Sequence, residues 1–211
     1  MFKSEMPFSD DQLKEINMLY SCAMREMNAR IENLNREFQM SGLHNPINHI
    51  EQRLKTPESI VEKMRRRGLP LEYNVMREEI TDIAGIRVIC SYIDDIYALA
   101  AMLHRHDDLL VVSEKDYIAY PKPNGYRSYH IIIGIPVFFS NRKEVIPVEV
   151  QMRTMAMDFW ASLEHSLRYK NCGNVPEDIR LRLTTAAAEI YNVDVEMQDI
   201  SRAIEALNGR K

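Results

Sequence analysis

The sequence is poor in cysteine and has no long apolar run. Its three cysteines, among 211 residues, are odd in number, far apart and without a C-x-x-C pair. This pattern indicates free thiols in a reducing cytoplasm and argues against a structural zinc site. The N-terminus has no apolar signal core, and no run is long enough to span a bilayer. We therefore expect a cytoplasmic protein without a membrane partner.

The sequence also lacks an excess of positive charge. Its 27 basic and 31 acidic residues give a net charge of −4. No DNA partner is expected, and RNA binding, although left open, has no support from the charge. The basic residues are instead concentrated locally, which suits small anionic ligands. A hydrophobic content of 45% is ordinary for a globular chain that can bury a core, so one domain with helical extensions is expected.

The most informative stretch covers residues 116–154, where a Pro/Gly loop precedes two predicted strands, 126–139 and 145–153. Side chains alternate between the two faces of a strand. The second strand therefore places an acid, an amide and a guanidinium on one face: Glu149, Gln151 and Arg153. Pairing as a hairpin would add Tyr126, Ser128 and His130 from the first strand. Together these groups predict a floor for a polar ligand.

A basic segment, residues 53–67, comes earlier in the chain. Thr56-Pro57-Glu58 has the composition of a helix start. One face of that helix carries Ser59, Lys63 and Arg66 (or Arg67). A hydroxyl and two cations near a helix start predict a polyphosphate clamp. The alternative is a solvated basic face.

Asp82 stands at the entrance of a further predicted strand, which begins near Ile86. An aspartate at a strand edge is often only a turn residue. If Asp82 meets Glu149 in space, however, the two carboxylates can hold a magnesium ion that also binds substrate phosphates.

Helical periodicity marks most of the remaining chain. It predicts one long helix over residues 9–40, capped by Ser9 or Asp10, and shorter helices over 47–54 and 72–79. Asp94 is expected to cap a helix that runs to about residue 106, and residues 109–112 form a strand. Thr154 is expected to cap a helix over 155–170 that turns Trp160, Leu163 and Leu167 inward, and residues 171–174 end it. The last helix, from Pro176, has an apolar stripe from Ile179 to Leu207, which predicts either a cap on the core or a seam between subunits.

Four motifs, in order, resemble the RelA/SpoT synthetase domain. They are Arg53-x-Lys55 with Ser59 and Lys63, then Asp82-Ile-Ala-Gly85-Ile-Arg87, then NGYRSYH preceded by Lys122, then Glu149-Val-Gln151-x-Arg153-Thr154. The last two are highly specific. The resemblance extends over about residues 46–192, and the chain length is similar to that of a stand-alone small alarmone synthetase.

This resemblance implies transfer of the β,γ-pyrophosphate of ATP to the ribose 3′-hydroxyl of GDP or GTP, giving ppGpp or pppGpp and AMP. On the donor side, it implies that Arg53 and Arg87 sandwich adenine, and that the ATP phosphates are held by Lys55, Ser59, Lys63 and Arg66. On the acceptor side, Tyr126 would stack on guanine and Gln151 would orient the acceptor. The phosphates of the acceptor would meet Lys122 and His130, together with Lys115, and Asn124 would be a further acceptor-binding residue. Asp82 would bind Mg2+, and Glu149 would be the base and a further metal ligand.

The resemblance implies a fold as well: α+β, with a mixed, nucleotidyltransferase-like sheet of about five strands flanked by helices. A single domain over residues 1–211 is expected, with a helical extension over 1–44, a catalytic core over 45–170 and a C-terminal helix over 171–211. Similar small synthetases form homotetramers, and the two terminal helices offer suitable surfaces.

Other activities stay open at this point. The upstream hydrolase domain of long family members has no counterpart here, so no alarmone hydrolysis is expected. Some relatives resemble toxins that make adenosine alarmones or pyrophosphorylate the tRNA 3′ end. A catalytically silent nucleotide or RNA sensor is the remaining alternative, although Asp82 and Glu149, the residues that such a protein would lose, are both present.

Overall fold

The computed structural model describes residues 6–170 and 176–208. Its helices are α1 (Asp10–Ser41), α2 (Pro57–Arg66), α3 (Tyr73–Glu79), α4 (Ile93–His104), α5 (Met155–Lys170) and α6 (Glu177–Asn208). Its strands are β1 (Ile47–Leu54), β2 (Ala84–Cys90), β3 (Leu110–Asp116), β4 (Tyr129–Phe138) and β5 (Lys143–Thr154). The predicted helix end at residues 171–174 and the thiol of Cys172 lie outside the described residues.

The five strands form one mixed sheet in the order β1-β2-β5-β4-β3. Only the β2–β5 pair is parallel, and the other three pairs are antiparallel. One face of the sheet is apolar on its central strands; the β5 members of this face, Val148, Val150 and Met152, are completely buried. Helix α1 packs on this face through its buried apolar residues, which include Leu19, Tyr20 and Ala23. The opposite face is left for polar groups, as the alternation in β5 predicted.

Local capping signals produced the predicted helix starts. The hydroxyl of Ser9 accepts a hydrogen bond from the Gln12 amide, and Oε1 of Gln12 accepts one from the Ser9 amide, which makes a capping box. Thr56 caps α2 ahead of Pro57, and the Thr154 hydroxyl accepts a hydrogen bond from the Met157 amide at the start of α5. These predictions are confirmed. In α4, by contrast, Asp94 is not the cap: Asp95 accepts the hydrogen bond from the Tyr92 amide.

The helix predicted over residues 47–54 is wrong, because this segment is strand β1. Its apolar residues Ile47 and Ile50 are three apart, which resembles helical spacing. A bulge between Ile47 and His49 explains the spacing, since Ile47 pairs with Cys90 and Ile50 with Val88. One extra residue thus brings both isoleucines to the same face of the strand.

Two further expectations need correction. Leu163 and Leu167 of α5 are half exposed, and only Trp160 of the three predicted inward residues is buried. Strand β4 begins at Tyr129, so Tyr126 and Ser128 precede the strand. Ser128 is fully buried and donates a hydrogen bond to the Met152 carbonyl oxygen, so its hydroxyl does not join the polar face.

Candidate active site

The register of the sheet lines up one polar residue from each strand. Glu51 pairs with Arg87, Arg87 with Gln151, Gln151 with His130, and His130 with Lys115. The next row brings Arg53, Gly85 and Glu149 together. The register of the strands therefore brings residues that are far apart in sequence together on one face of the sheet.

Asp82, in the turn before β2, contacts two ammonium groups. Its Oδ2 lies 2.7 Å from Lys55 Nζ and 2.6 Å from Lys63 Nζ. Burial acts to raise the pKa of this carboxyl, but the hydrogen bonds from the two lysines outweigh it, so the pKa lies below its ordinary value. Its Oδ1 is buried and has no hydrogen-bond partner within the described part of the chain. An ionised carboxylate with one free oxygen is a suitable ligand for a divalent cation.

Glu149 is held by hydrogen bonds to both of its oxygens. Oε1 lies 3.0 Å from His130 Nδ1, and Oε2 accepts a hydrogen bond of 2.7 Å from Gln151 Nε2. Burial acts to raise the pKa of Glu149, and the His130 and Gln151 contacts lower it below its ordinary value. Glu149 is therefore an oriented carboxylate that can accept a proton at neutral pH.

Two cavities meet at these acids. The first, about 440 Å³, lies over β1 and β2; the residues lining it are Glu51, Gln52, Arg53, Lys55, Asp82, Gly85, Ile86, Arg87, Glu149 and Gln151. The second, about 410 Å³, lies over β3 and β4; its lining is Lys63, Thr81, Asp82, Ser113, Lys115, Tyr117, Lys122, Tyr126, His130, Ile132, Glu149 and Gln151. Asp82, Glu149 and Gln151 line both. Two ligands can thus reach the same pair of carboxylates from opposite sides.

The second cavity has an aromatic wall. The Lys122 ammonium lies 4.5 Å from the ring centroid of Tyr117 and 4.6 Å from that of Tyr126. Burial lowers the pKa of Lys122 below its ordinary value. Gly125 has a φ of 88°, and a Cβ at this position would lie 2.5 Å from the Cβ of Ala187 in α6. The Lys122–Tyr126 loop thus needs a glycine both for its turn and for its packing.

Most of the residues that the family resemblance assigned to the site lie in these cavities, but three of them do not. Ser59 belongs to the α2 cap, where its amide donates a hydrogen bond to Thr56 Oγ1. Arg66 is exposed at the end of α2. Asn124 donates a hydrogen bond to Glu164 and supports the turn by accepting one from the Tyr126 amide. Lys63, predicted on the donor side, lines the second cavity but reaches Asp82, which lines both.

The prediction missed several cavity residues, which include Glu51, Gln52, Thr81, Ser113 and Tyr117. Glu51 and Gln52 were missed because β1 was interpreted as a helix. Tyr117 directly follows β3, and its ring lies edge-on to His130 at 5.2 Å. An aromatic residue between a predicted strand and the Pro/Gly loop was an available signal.

Comparison with known proteins places the chain in a family. Residues 52–174, more than half of the chain, match the model described as the region found in RelA / SpoT proteins. The chain belongs to the RelA/SpoT family. The matched range contains β2 to β5, and so most of both cavities.

Relatives in the RelA/SpoT family match nearly the whole chain. The chain is 43% identical over 188 residues to the GTP pyrophosphokinase YwaC of Bacillus subtilis (strain 168), which covers 89% of this chain and 90% of the relative. Small alarmone synthetase 1 from Bacillus subtilis bound to its product pppGpp superposes with a TM-score of 0.86 at 37% identity, covering 92% of this chain and 99% of the other. The same synthetase bound to AMPCPP superposes with a TM-score of 0.79 at 33% identity, covering 93% of this chain and 100% of the other. The mixed α+β fold expected for a RelA/SpoT synthetase is confirmed.

Proposed function

We propose that this protein transfers the β,γ-pyrophosphate of ATP to the ribose 3′-hydroxyl of GDP or GTP, making ppGpp or pppGpp and AMP. The observation that carries the proposal is the pair of adjoining cavities that share Asp82, Glu149 and Gln151. A transfer between two nucleotides needs two pockets and a common reacting point, and this shared wall supplies both. Relatives named GTP pyrophosphokinase and a similar structure bound to pppGpp support the nucleotide class.

The first cavity would take ATP. Arg53 and Arg87 lie on neighbouring strands, where planar guanidinium groups can stack on adenine. Lys55 and Lys63, which both contact Asp82, would neutralise the phosphates near the shared wall. Ser59 and Arg66 lie at the two ends of α2 and would contact only the outer phosphate oxygens. A similar synthetase bound to AMPCPP supports a triphosphate donor.

The second cavity would take the acceptor nucleotide. Tyr126 would stack on guanine, while Lys115, Lys122 and His130 would face its phosphates, with Asn124 holding the loop. Gln151 would orient the ribose. Glu149 would take the proton of the ribose 3′-hydroxyl. The 3′-oxygen of the acceptor would attack the β-phosphorus of ATP, and AMP would leave. Positioning and charge neutralisation supply most of the rate enhancement in such transfers.

Asp82 and Glu149 fit a divalent cation, because both are ionised and Asp82 Oδ1 is buried without a partner. We propose Mg2+, which typically binds through one or two carboxylates and substrate phosphates. When bound, it would neutralise phosphate charge. Among the described residues no group of three His, Cys, Asp or Glu side chains could hold a metal, so the phosphates would complete the coordination.

We also propose that the protein acts in the cytoplasm as a homo-oligomer, with a tetramer as the expected state. Support for assembly comes from α6, where five apolar residues of the predicted stripe are exposed: Val193, Met197, Ile200, Ile204 and Leu207. In the part of the chain that the structure describes, each helix is too short or too polar to span a bilayer.

The test is incubation of the purified protein with Mg2+ and labelled ATP, separately with GDP, GTP, deacylated tRNA or no acceptor. Label in ppGpp or pppGpp with matching AMP supports the proposal, and chelation of the metal should abolish it. Label only in tRNA or an adenosine product would overturn the acceptor assignment. Absence of transfer to any acceptor would favour the silent sensor.

A further inference from the structure

Five side chains form a closed hydrogen-bonded ring around the carboxylate of Glu149. We call it the base-holding ring; its members are Glu149, His130, Tyr126, Arg153 and Gln151. One arm joins Glu149 Oε1 to His130 Nδ1 (3.0 Å), His130 Nε2 to Tyr126 Oη (2.8 Å) and Tyr126 Oη to Arg153 Nη2 (2.7 Å). The other joins Glu149 Oε2 to Gln151 Nε2 (2.7 Å) and Gln151 Oε1 to Arg153 Nη2 (3.3 Å). Both arms end on one nitrogen of Arg153.

The two end groups are the Arg153 guanidinium and the Glu149 carboxylate, and their chemistry sets the direction of hydrogen-bond donation along both arms. A guanidinium only donates hydrogen bonds, and an ionised carboxylate only accepts them. Tyr126 accepts from Arg153. With a neutral imidazole, the Tyr126 hydroxyl donates its own proton to His130 Nε2, and Nδ1–H donates to Glu149. Gln151 likewise accepts from Arg153 and donates to Glu149. Every link therefore points toward Glu149, the arrangement in which successive hydrogen bonds strengthen one another.

Arg153 is itself rigidly held. Only 5% of its surface is exposed, and its Nη1 donates a 3.0 Å hydrogen bond to Asp158 at the start of α5. Its Cζ lies 5.1 Å from the centre of the Tyr126 ring. Arg153 is absent from the lining of both cavities. Asp158 also lies 3.6 Å from Arg87 Nη1, which lines the first cavity. The Asp158 carboxylate thus contacts both Arg153 of the base-holding ring and Arg87 of the first cavity.

We propose that Arg153 is a positioning residue for the transfer: through the base-holding ring it fixes both oxygens of Glu149, and through Asp158 it ties that orientation to Arg87 of the donor cavity. The proposal rests on the proposed function in one respect, that Glu149 is the base. Arg153 acts without contacting either nucleotide. Its loss should therefore reduce turnover more than it weakens binding.

The first test reads the ring without any reaction. The Nδ1–H proton of His130, donated to a carboxylate, should give a downfield, slowly exchanging NMR signal in protein labelled with 15N-histidine, assigned by its loss in His130→Gln. In Arg153→Met the signal should move upfield or broaden through solvent exchange, and Arg153→Lys, which keeps a cationic donor, should restore part of it. Arg77→Met is the matched control, because Arg77 is a partly buried arginine paired with Glu144 away from both cavities. It should leave the signal unchanged.

The second test is a double-mutant cycle between Arg153→Met and Tyr126→Phe. Phenylalanine keeps the aromatic ring but opens one arm at the hydroxyl. We expect Arg153→Met to lower kcat by about 10- to 100-fold, as for other groups that orient a reacting residue, with a smaller change in KM for either nucleotide. The double variant should lose less than the product of the two single losses, because both changes break the same arm.

Each outcome decides one question. An unchanged His130 signal in folded Arg153→Met, or multiplicative losses in the cycle, would overturn the role of Arg153. If Arg153→Met does not fold, Tyr126→Phe alone must disturb the His130 signal, and an intact signal there would equally contradict the ring. A wild-type protein that makes no alarmone would overturn the proposed function, while the NMR result would still decide whether the ring exists.

Discussion

At the residue scale, the site depends on how neighbours set the state of two carboxylates. Asp82 is kept ionised by two lysines, and Glu149 by an imidazole and an amide. Glu149 has hydrogen bonds to both oxygens, whereas Asp82 has one oxygen without a partner among the described residues. This difference suits Glu149 to an oriented base and Asp82 to a metal ligand.

Replacing Glu149, the proposed base, should separate nucleotide binding from turnover. In Glu149→Gln we expect turnover to fall by about 10²- to 10⁴-fold, since the amide cannot take a proton. Both nucleotides should still bind, which equilibrium dialysis against labelled ATP and GDP would measure. Glu144→Gln is the matched control, because Glu144 lies on the same strand outside both cavities. Turnover that survives Glu149→Gln would show that another group is the base.

At the element scale, buried polar links join the sheet to the helices that surround it. The hydroxyl of Thr154, at the end of β5, donates a 2.6 Å hydrogen bond to Asp194 of α6 and accepts one from the Met157 amide in α5. Burial raises the pKa of Asp194 above its ordinary value, and the hydrogen bond from Thr154 opposes the rise. A single hydroxyl thus connects three elements.

Removing that hydroxyl should destabilise the fold. We expect Thr154→Val to lower the free energy of unfolding by about 1–3 kcal/mol, because it removes a helix cap and leaves a buried carboxyl without its donor. Thr154→Ser keeps the hydroxyl and should retain most of the stability. Urea unfolding would measure both variants, and equal midpoints for valine and serine would contradict the assignment.

A second link joins α3 and the β4–β5 hairpin, where Glu144 pairs with Arg77 and Arg142. Burial acts to raise the pKa of Glu144, but the two arginines outweigh it and lower the pKa. A carboxyl whose pKa is lowered in the folded state stabilises the fold at pH values above its unfolded-state pKa, about 4.3. This stabilisation is lost as the pH falls through the folded-state pKa.

The stability of Glu144→Gln should therefore differ from that of the wild type in a pH-dependent way. Above the unfolded pKa we expect the variant to be less stable by about 1–3 kcal/mol. The difference should shrink as the solution is made more acidic, which urea unfolding at several pH values would reveal. An exposed acid of α6 offers the control, since Glu205→Gln should show little difference at any pH. A constant deficit in Glu144→Gln would rule out the charge as its cause.

At the scale of the whole molecule, α6 covers the Lys122–Tyr126 loop with one face and exposes the other. Ala187 packs against Gly125, and the Tyr191 ring lies 3.7 Å from the Arg127 guanidinium. Of the two predicted alternatives, the contacts of Ala187 and Tyr191 support a cap, and the subunit seam stays a prediction that the exposed residues Val193, Met197, Ile200, Ile204 and Leu207 would serve.

Charge on the exposed stripe should break an assembly. If α6 is a subunit seam, Ile200→Glu with Ile204→Glu should give a smaller particle by light scattering than the wild type. Leu181→Glu changes an exposed apolar residue of the same helix outside the stripe and should leave the particle size unchanged. A monomeric wild-type protein would contradict the proposed oligomer itself.

The sequence by itself determined the caps of α1, α2 and α5, the alternation along β5, the family motifs and most of the residues that line the cavities, because these depend on local chemistry and spacing. It failed at β1, where a bulge imitated helical spacing, and in α5, where Leu163 and Leu167 proved half exposed. Only the tertiary structure decided that Asp82 binds two lysines, that Ser128 is buried, and that Arg153 closes the base-holding ring. Each of these depends on strand register and on contacts between distant residues, which no local pattern specifies.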